Sequence, residues 1–505
     1  MTQTLFQNVR IFDLAHNDGM TKPCDLRVSE GRISQVADRI EPRADDHLIE
    51  GGGNLLMPGL VNGHFHSAVN HMKGRLPSLP LEIFMLYESP ELELLRPTPR
   101  EAYLRTMLGC IEMLRSGTTS VQDDCFFVPS PEPDIIDAVA QAYEDSGIRV
   151  RLALDQPELN ELDKLPFLRE ILPADLRKSL SEPSGVPAPR LLELYDHLID
   201  RWHGAADNRI KAAVSCSAPQ RVSPDYFAQL DDLSLRHNLP FYAHMLETRL
   251  QRVYGEVCLN GRSLVELTHE LGLLSDRMNV IHAIWVNDRD LDLLAASGAI
   301  IAHNPNSNLR LGSGIMRWRD IHDRGIPVCL GVDEAIADDA INMWSVMKTA
   351  SVIHNLSDWD YERWPKAQEV LHAATQGGGI AMREPGLGQM LPGAPADLIV
   401  IDLKSLPFVP LNDLSRQLVH CECGTSVRLT MVAGQIVARD GKLQTIDEDS
   451  ILAEASAFFA GKKAAIDSAD ARMAEVLPYY REMYSRAGEY ALNLERRIPL
   501  KAGIV

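Results

Sequence analysis

The sequence contains no uncharged apolar run approaching the ~18 residues of a membrane-spanning helix, so no membrane span is expected. Its eight cysteines are scattered, without a Cys-x-x-Cys pair. Cys421 and Cys423 flank one glutamate, but no second pair follows to complete a structural zinc site. Reduced thiols and a cytoplasmic protein are the expectation. The opening MTQTLFQNVRIFD lacks the basic segment and apolar core of a signal peptide. Basic patches are also missing, since KGR at Lys73 to Arg75 and ERR at Glu495 to Arg497 are short. With 50 Lys and Arg against 70 Asp and Glu, the net charge of −20 repels nucleic-acid backbones and anionic membranes alike. A small-molecule substrate is the partner that remains.

What is present is a chain of 505 residues with ordinary hydrophobic (45%) and charged (24%) content, enough for a large domain and something smaller. Residues 4–50 read as short antiparallel strands that turn at Glu30-Gly31, too few to bury a core alone. From Leu55 the texture changes to apolar strands alternating with amphipathic helices, the pattern of a parallel sheet. Eight strands are predicted: Leu56–His66, Thr118–Asp124, Arg149–Asp155, Ile210–Cys216, Pro240–Glu247, Asn279–Ile284, Ala299–Pro305 and Pro327–Asp333. Arg100–Arg115, Pro133–Asp145, Pro224–His237 and Asp288–Ala296 are among the helices between them. Eight βα steps fit a TIM (β/α)8 barrel, whose usual size is ~250 residues. A doubly wound sheet fits less well, because polar residues recur at the ends of many strands and not at one switch point. The long segments Asn70–Pro99 and Gln156–Arg190 are expected to cover the pocket. Further short strands follow the barrel, and residues 449–505 are helical, with Tyr479, Tyr480 and Tyr484 on one candidate docking face.

The centre of the chain's chemistry is LLMPGLVNGHFHSAVNHMKG. On a strand His64 and His66 project to the same side, so both imidazoles can meet one divalent ion. A His-x-His pair also occurs where one ring is simply packed. The stretch resembles the first-strand motif of the amidohydrolase superfamily, PG-hydrophobic-hydrophobic-N-x-H-x-H. FYAHMLE, VIHAIW, AHNPNSNLRLGSG and LGVDE resemble later motifs of its cytosine-deaminase and triazine-hydrolase branch. The likeness runs from the first strand to about Glu448.

That resemblance implies an α/β fold: a TIM barrel over 56–389, a composite β-sandwich from 1–55 and 390–448, and a helical extension over 449–505. It implies a metal site of His64, His66, His244 and Asp333, holding one divalent ion, zinc or else iron. A single ion is expected because the fourth strand, IKAAVSC, carries Lys211 at its beginning, and not the bridging lysine that binuclear relatives place at its end. Glu247 would carry a proton to a ring nitrogen, with His282 and Asp333 handling the proton of the attacking water. Candidate substrate contacts are Gln220, Arg221, Trp285, His303, Asn304 and Glu334.

Two departures bear on the substrate. The usual His-Ala-Pro-Tyr reads Ser217-Ala218-Pro219-Gln220-Arg221, and Thr-Asp-Gly or Thr-Asp-Ser reads Val332-Asp333-Glu334. The extra carboxylate suggests a substrate with a cationic or NH-rich edge, unless Glu334 turns away into a salt bridge. The expected activity is hydrolytic deamination of an amino-substituted N-heterocycle by a metal-bound hydroxide. Cleavage of an amide, urea or carbamate, dechlorination on the same site, and a catalytically dead scaffold are the alternatives. A homodimer or higher homo-oligomer is the expected assembly.

Overall fold

The computed structural model describes residues 3–16, 19–90, 92–182 and 186–497. Its strands are β1 (Gln3–Ile11), β2 (Cys24–Ser29), β3 (Arg32–Ala37), β4 (Asp46–Glu50), β5 (Leu55–Pro58), β6 (Leu60–His66), β7 (Thr118–Phe126), β8 (Arg149–Asp155), β9 (Ile210–Ala212) and β10 (Val214–Ser215). They continue with β11 (Phe241–Met245), β12 (Met278–His282), β13 (Ile300–His303), β14 (Val328–Leu330), β15 (Asp333–Glu334), β16 (Leu398–Ile401), β17 (Val427–Val432), β18 (Gln435–Arg439) and β19 (Lys442–Leu443).

The apolar run before His64, expected to be one strand, is divided at Gly59. A Cβ there would lie 2.2 Å from the Thr119 side chain, so the chain can pass only as glycine. On one side of the break β5 pairs antiparallel with β16, and on the other β6 pairs parallel with β7. One sheet thus draws strands from both ends of the chain, in the order β19-β18-β17-β16-β5-β1-β2-β3, with β4 beside β1.

The remaining strands form two five-stranded parallel sheets, β15-β6-β7-β8-β9 and β10-β11-β12-β13-β14. Strands β6, β8, β11 and β12 are buried along their whole length, as parallel strands covered on both faces must be. The expected fourth and eighth strands are each broken. β9 and β10 flank Ala213, whose N–H still donates to Leu152 O at 2.8 Å. β14 and β15 flank Gly331-Val332, where Val332 N–H donates to Asn62 Oδ1 at 2.9 Å. A Cβ on Gly331 would lie 2.8 Å from the His64 backbone nitrogen, so this glycine brings the eighth segment against the first.

Helices fall where expected, at Pro99–Arg115, Pro133–Ser146, Pro224–His237 and Asp288–Ser297. Thr98, Ser223 and Asn287 cap three of them through side-chain oxygens. The segment read as a long loop over 156–190 holds three short helices: Glu161–Lys164, Leu168–Ile171 and Ala174–Leu180. With the helix Leu81–Glu88 and the 27-residue helix Lys463–Glu489, they build a second small core around Ile83, Leu168, Leu250, Val253, Tyr480 and Met483. Arg249 ties the end of this roof down, donating to Ala487 O and Tyr490 O. No helix among the described residues is long and apolar enough to cross a membrane.

A buried ion pair joins the parallel strands to the mixed sheet. Arg149 on β8 donates through Nε and Nη2 to Asp397 (2.6 and 3.0 Å), which also accepts from Ala433 N–H at 2.7 Å. Asp397→Asn leaves the guanidinium buried without a counter-charge. The expected cost is about 3–5 kcal/mol, read as a lowered urea midpoint against the parent.

Candidate active site

The functional side chains stand where strands turn into loops, and the turns are tight. Ser217, Leu246, His282 and Asp333 have φ of 61°, 54°, 75° and 70°, a left-handed conformation that non-glycine residues adopt where surrounding structure enforces it. The turn at Leu246 matters most. His244 and Glu247 are three apart and would face opposite ways on an extended strand. Because β11 ends at Met245 and Leu246 reverses the chain, Glu247 is carried over the same pocket. Its carboxyl lies 3.5 Å from His282 Nε2.

His64, His66, His244 and Asp333 converge in one buried spot. His64 Nε2 lies 3.2 Å from His244 Nε2 and 3.4 Å from Asp333 Oδ1, which is 3.6 Å from His66 Nε2. Ligands ~2.0–2.1 Å from a tetrahedral ion stand ~3.4 Å from one another, so these atoms have the spacing of a zinc-type donor set. The remaining nitrogens fit as well. His244 Nδ1 donates to Ser217 O at 2.7 Å and His66 Nδ1 donates to Asp124 O, leaving both Nε2 lone pairs free for an ion. Burial drives the His64 imidazole down to about 4 and His244 well below its ordinary value, keeping both neutral as ligation requires. Burial opposes charge on Asp333 too, but the neighbouring His64 imidazole outweighs it and keeps the carboxyl ionised.

Asp155, at the end of β8, could form a second donor group with His66 and His244. Both imidazoles already commit Nδ1 to backbone carbonyls, so this group shares the Nε2 atoms of the first set and does not make an independent site. Lys211 is engaged elsewhere, with Nζ 2.8 Å from Glu384.

His282 Nδ1 lies 2.9 Å from Asn308 Oδ1, which assigns the proton to that nitrogen and leaves Nε2 a lone pair toward Glu247 and Asp333 Oδ2, 3.9 Å away. Glu247 itself is pushed well above the usual carboxyl range, first by burial and then by the charges of Asp333 and Glu82. Both causes favour its protonated form.

These groups floor a cavity of about 450 Å³, within the ~300–1,000 Å³ of small-molecule sites. Both long segments contribute walls, among them Met85, Glu88, Gln156 and Leu180, and the C-terminal helix adds Met473, Val476 and Tyr480 overhead. Gln220, Arg221 and Glu334 line the cavity as expected of substrate contacts, and Arg221 donates to Ser217 Oγ at 3.0 Å. The other three candidates do not line it. Trp285 is buried with Nε1 on Ser313 O at 2.8 Å. His303 Nε2 faces His354 Nε2 at 3.0 Å. Asn304 approaches His282 Nδ1 at 3.4 Å, so it bears on that imidazole and not on the cavity.

Asp155 was missed, although it ends a predicted strand as the ligands do. Glu88 and Gln156 were missed for lack of any motif, since their place depends on how the long segments fold back.

A model described as the amidohydrolase family matches residues 55–437. A 5-methylthioadenosine/S-adenosylhomocysteine deaminase of Nitratidesulfovibrio vulgaris is 32% identical over 460 residues, covering 86% of this chain and 97% of that protein. A 5'-deoxyadenosine deaminase of Methanothermobacter thermautotrophicus is 30% identical, with 85% of this chain and 93% of the relative covered. Among solved structures, an adenosine deaminase from Xanthomonas campestris with bound zinc superposes with a TM-score of 0.78. At 23% identity, over 91% of this chain and 98% of that one, this likeness speaks to the fold, which is of the TIM-barrel type.

Proposed function

The chain belongs to the amidohydrolase family, and from that premise we propose that it is a zinc-dependent aminohydrolase that removes an exocyclic amine from a purine-type heterocycle. Adenosine derivatives modified at the 5' position are the first candidates, because the curated relatives at 30–32% identity are named for them. The observation that carries the reading is the buried Glu247 carboxyl held 3.5 Å from His282, beside three imidazoles and a carboxylate gathered within 3.2–3.6 Å contacts. We also read the two parallel sheets, which meet at the broken fourth and eighth strands, as one closed barrel over 56–389. The chain's two ends (1–55 and 390–448) form a sandwich beside it, and 449–505 is a helical extension.

Four side chains, His64, His66, His244 and Asp333, would hold the ion. A divalent ion bound there supplies Lewis acidity, which makes a water molecule a competent nucleophile near pH 7. His282 Nε2, with its lone pair fixed by Asn308, is placed to take a proton from that water, and Asp333 Oδ2 lies close enough to share it. Glu247 presents its proton to the ring nitrogen next to the carbon under attack. Protonating that nitrogen lets the carbon accept the water's oxygen. A second proton passed to the amine then breaks the C–N bond, giving ammonia and a ring carbonyl. The helices over the cavity shield it in part from bulk water, which strengthens each of these interactions.

Ammonia release from the zinc-loaded protein, assayed against adenosine, 5'-deoxyadenosine, 5'-methylthioadenosine and free amino-heterocycles, tests the reading. We expect about one zinc per chain, as one ligand set implies. Chelation should abolish the activity and zinc should restore it. Two tightly held ions in the active protein, or no ammonia from any of these compounds, would overturn it.

A further inference from the structure

Two carboxyl groups meet in the cavity wall. Glu334, immediately after the ligand Asp333, turns into the cavity and meets Glu88, from the helix Leu81–Glu88, with the two carboxyl groups within hydrogen-bonding reach of each other. Both are buried, at 7% and 8% exposure. No Lys or Arg among the described residues forms an ion pair with either. Glu88 Oε1 and Glu334 Oε2 have no hydrogen-bond partner.

A second observation points the same way. Gln156 and Gln220, 5% and 6% exposed, line the same cavity, and each leaves its carbonyl Oε1 without a partner. A buried acceptor without a donor costs roughly 1–3 kcal/mol, and more when it is charged. A cavity bearing four such acceptors is complementary to a ligand that brings N–H groups. Met85, Leu86, Leu180, Met473 and Val476 also line the cavity and offer apolar contact only. Glu334 directly follows Asp333, which sets the hydrogen-bond deficit of the carboxyl pair beside the candidate reaction centre.

We propose that the substrate ring carries, besides the amine that leaves, a second N–H-rich or cationic group such as another exocyclic amine, and that Glu88 and Glu334 grip it between them. This rests on the deaminase reading above and, within its purine-type class, puts diamino heterocycles ahead of the adenosine derivatives, which carry a single ring amine. Hydrogen bonds from a charged or polarised N–H group to carboxylates are about twice as strong as neutral ones. A site built around them rejects an analogue lacking the donor, because the acceptors are then buried unpaired.

The test compares ammonia release by the zinc-loaded full chain from 2,6-diaminopurine and from adenine, both as free bases, so that no ribose hydroxyl can supply the donors. The diamino base should have a kcat/KM at least ~100-fold higher. Glu88→Gln should raise its KM by ~10-fold or more while leaving the kinetics of adenine within ~2-fold. Glu334→Gln should raise the KM of the diamino base likewise with its zinc content intact, whatever it does to adenine. Glu88 comes from a helix that carries none of the four candidate ligands, so zinc content is measured on its variant alongside the kinetics. Equal turnover of the two bases, unmoved by either substitution, would overturn the inference and leave the deaminase reading standing. Discrimination seen only between nucleosides and their deoxy analogues would also overturn it, since the carboxyl pair would then read a sugar. No ammonia from any amino-heterocycle would remove the deaminase reading itself.

Discussion

His64→Ala is expected to give a folded protein that neither retains zinc nor releases ammonia. His64 is the hub of the donor set, with its Nε2 within 3.4 Å of both His244 Nε2 and Asp333 Oδ1. Loss of a residue that merely orients a ligand costs 10–100-fold in metal affinity, so loss of the hub ligand should cost more than ~100-fold. At micromolar protein this empties the site. Activity should fall with zinc content and not independently of it, because no other group in the cavity can acidify water to the same degree. The strands should survive, since the ring stands at a strand end facing the cavity while the packed faces belong to Val61, Phe65 and their neighbours. Elemental analysis and circular dichroism on one preparation decide the matter. An unfolded variant would make His64 a structural residue, and a folded one with full zinc would remove it from the ligand set.

Glu247→Gln is expected to keep the zinc and lower kcat by ~10²–10⁴-fold, the usual worth of a positioned general acid. The glutamine amide matches the carboxyl in shape and still accepts from and donates to neighbours, but it has no proton to relay. Burial and the nearby charges of Asp333 and Glu82 raise Glu247 well above the usual carboxyl range, which favours the protonated form a general acid needs. KM should change little, because the substitution removes a step and not a binding surface. Loss of zinc in this variant would make Glu247 a ligand. Full activity would pass the proton relay to another cavity carboxyl, Glu334 first.

That His64, His66, His244 and Asp333 come together was legible in part from two histidines two apart on a strand, and for His244 and Asp333 from the family resemblance of their strand ends. Glu247 was harder. Its odd spacing from His244 pointed away from the pocket, and only the left-handed Leu246 brings it back, a conformation that leucine does not announce. Trp285 and His303 were placed near the substrate by the resemblance of VIHAIW and AHNPNSNLRLGSG to family motifs. Each is instead held by a neighbour outside the cavity, Trp285 by Ser313 and His303 by His354. The division of the first strand at Gly59 depends on contact with Thr119, some sixty positions on, which no local pattern carries. Glu88 depends on an entire segment folding back over the barrel. In general the sequence displayed what alternation and strand order determine, and concealed what long-range packing determines.

The roof over the cavity has a consequence for synthesis. All four ligands precede residue 334, whereas Met473, Val476 and Tyr480 belong to a helix made more than a hundred residues later. On the ribosome the chemical centre is therefore written well before its cover, and a chain that stops short of that helix carries a full set of ligands in an open cup. Such a nascent chain has the groups for chemistry and no enclosure to direct them. Enclosure, in this protein, is the last property to be translated.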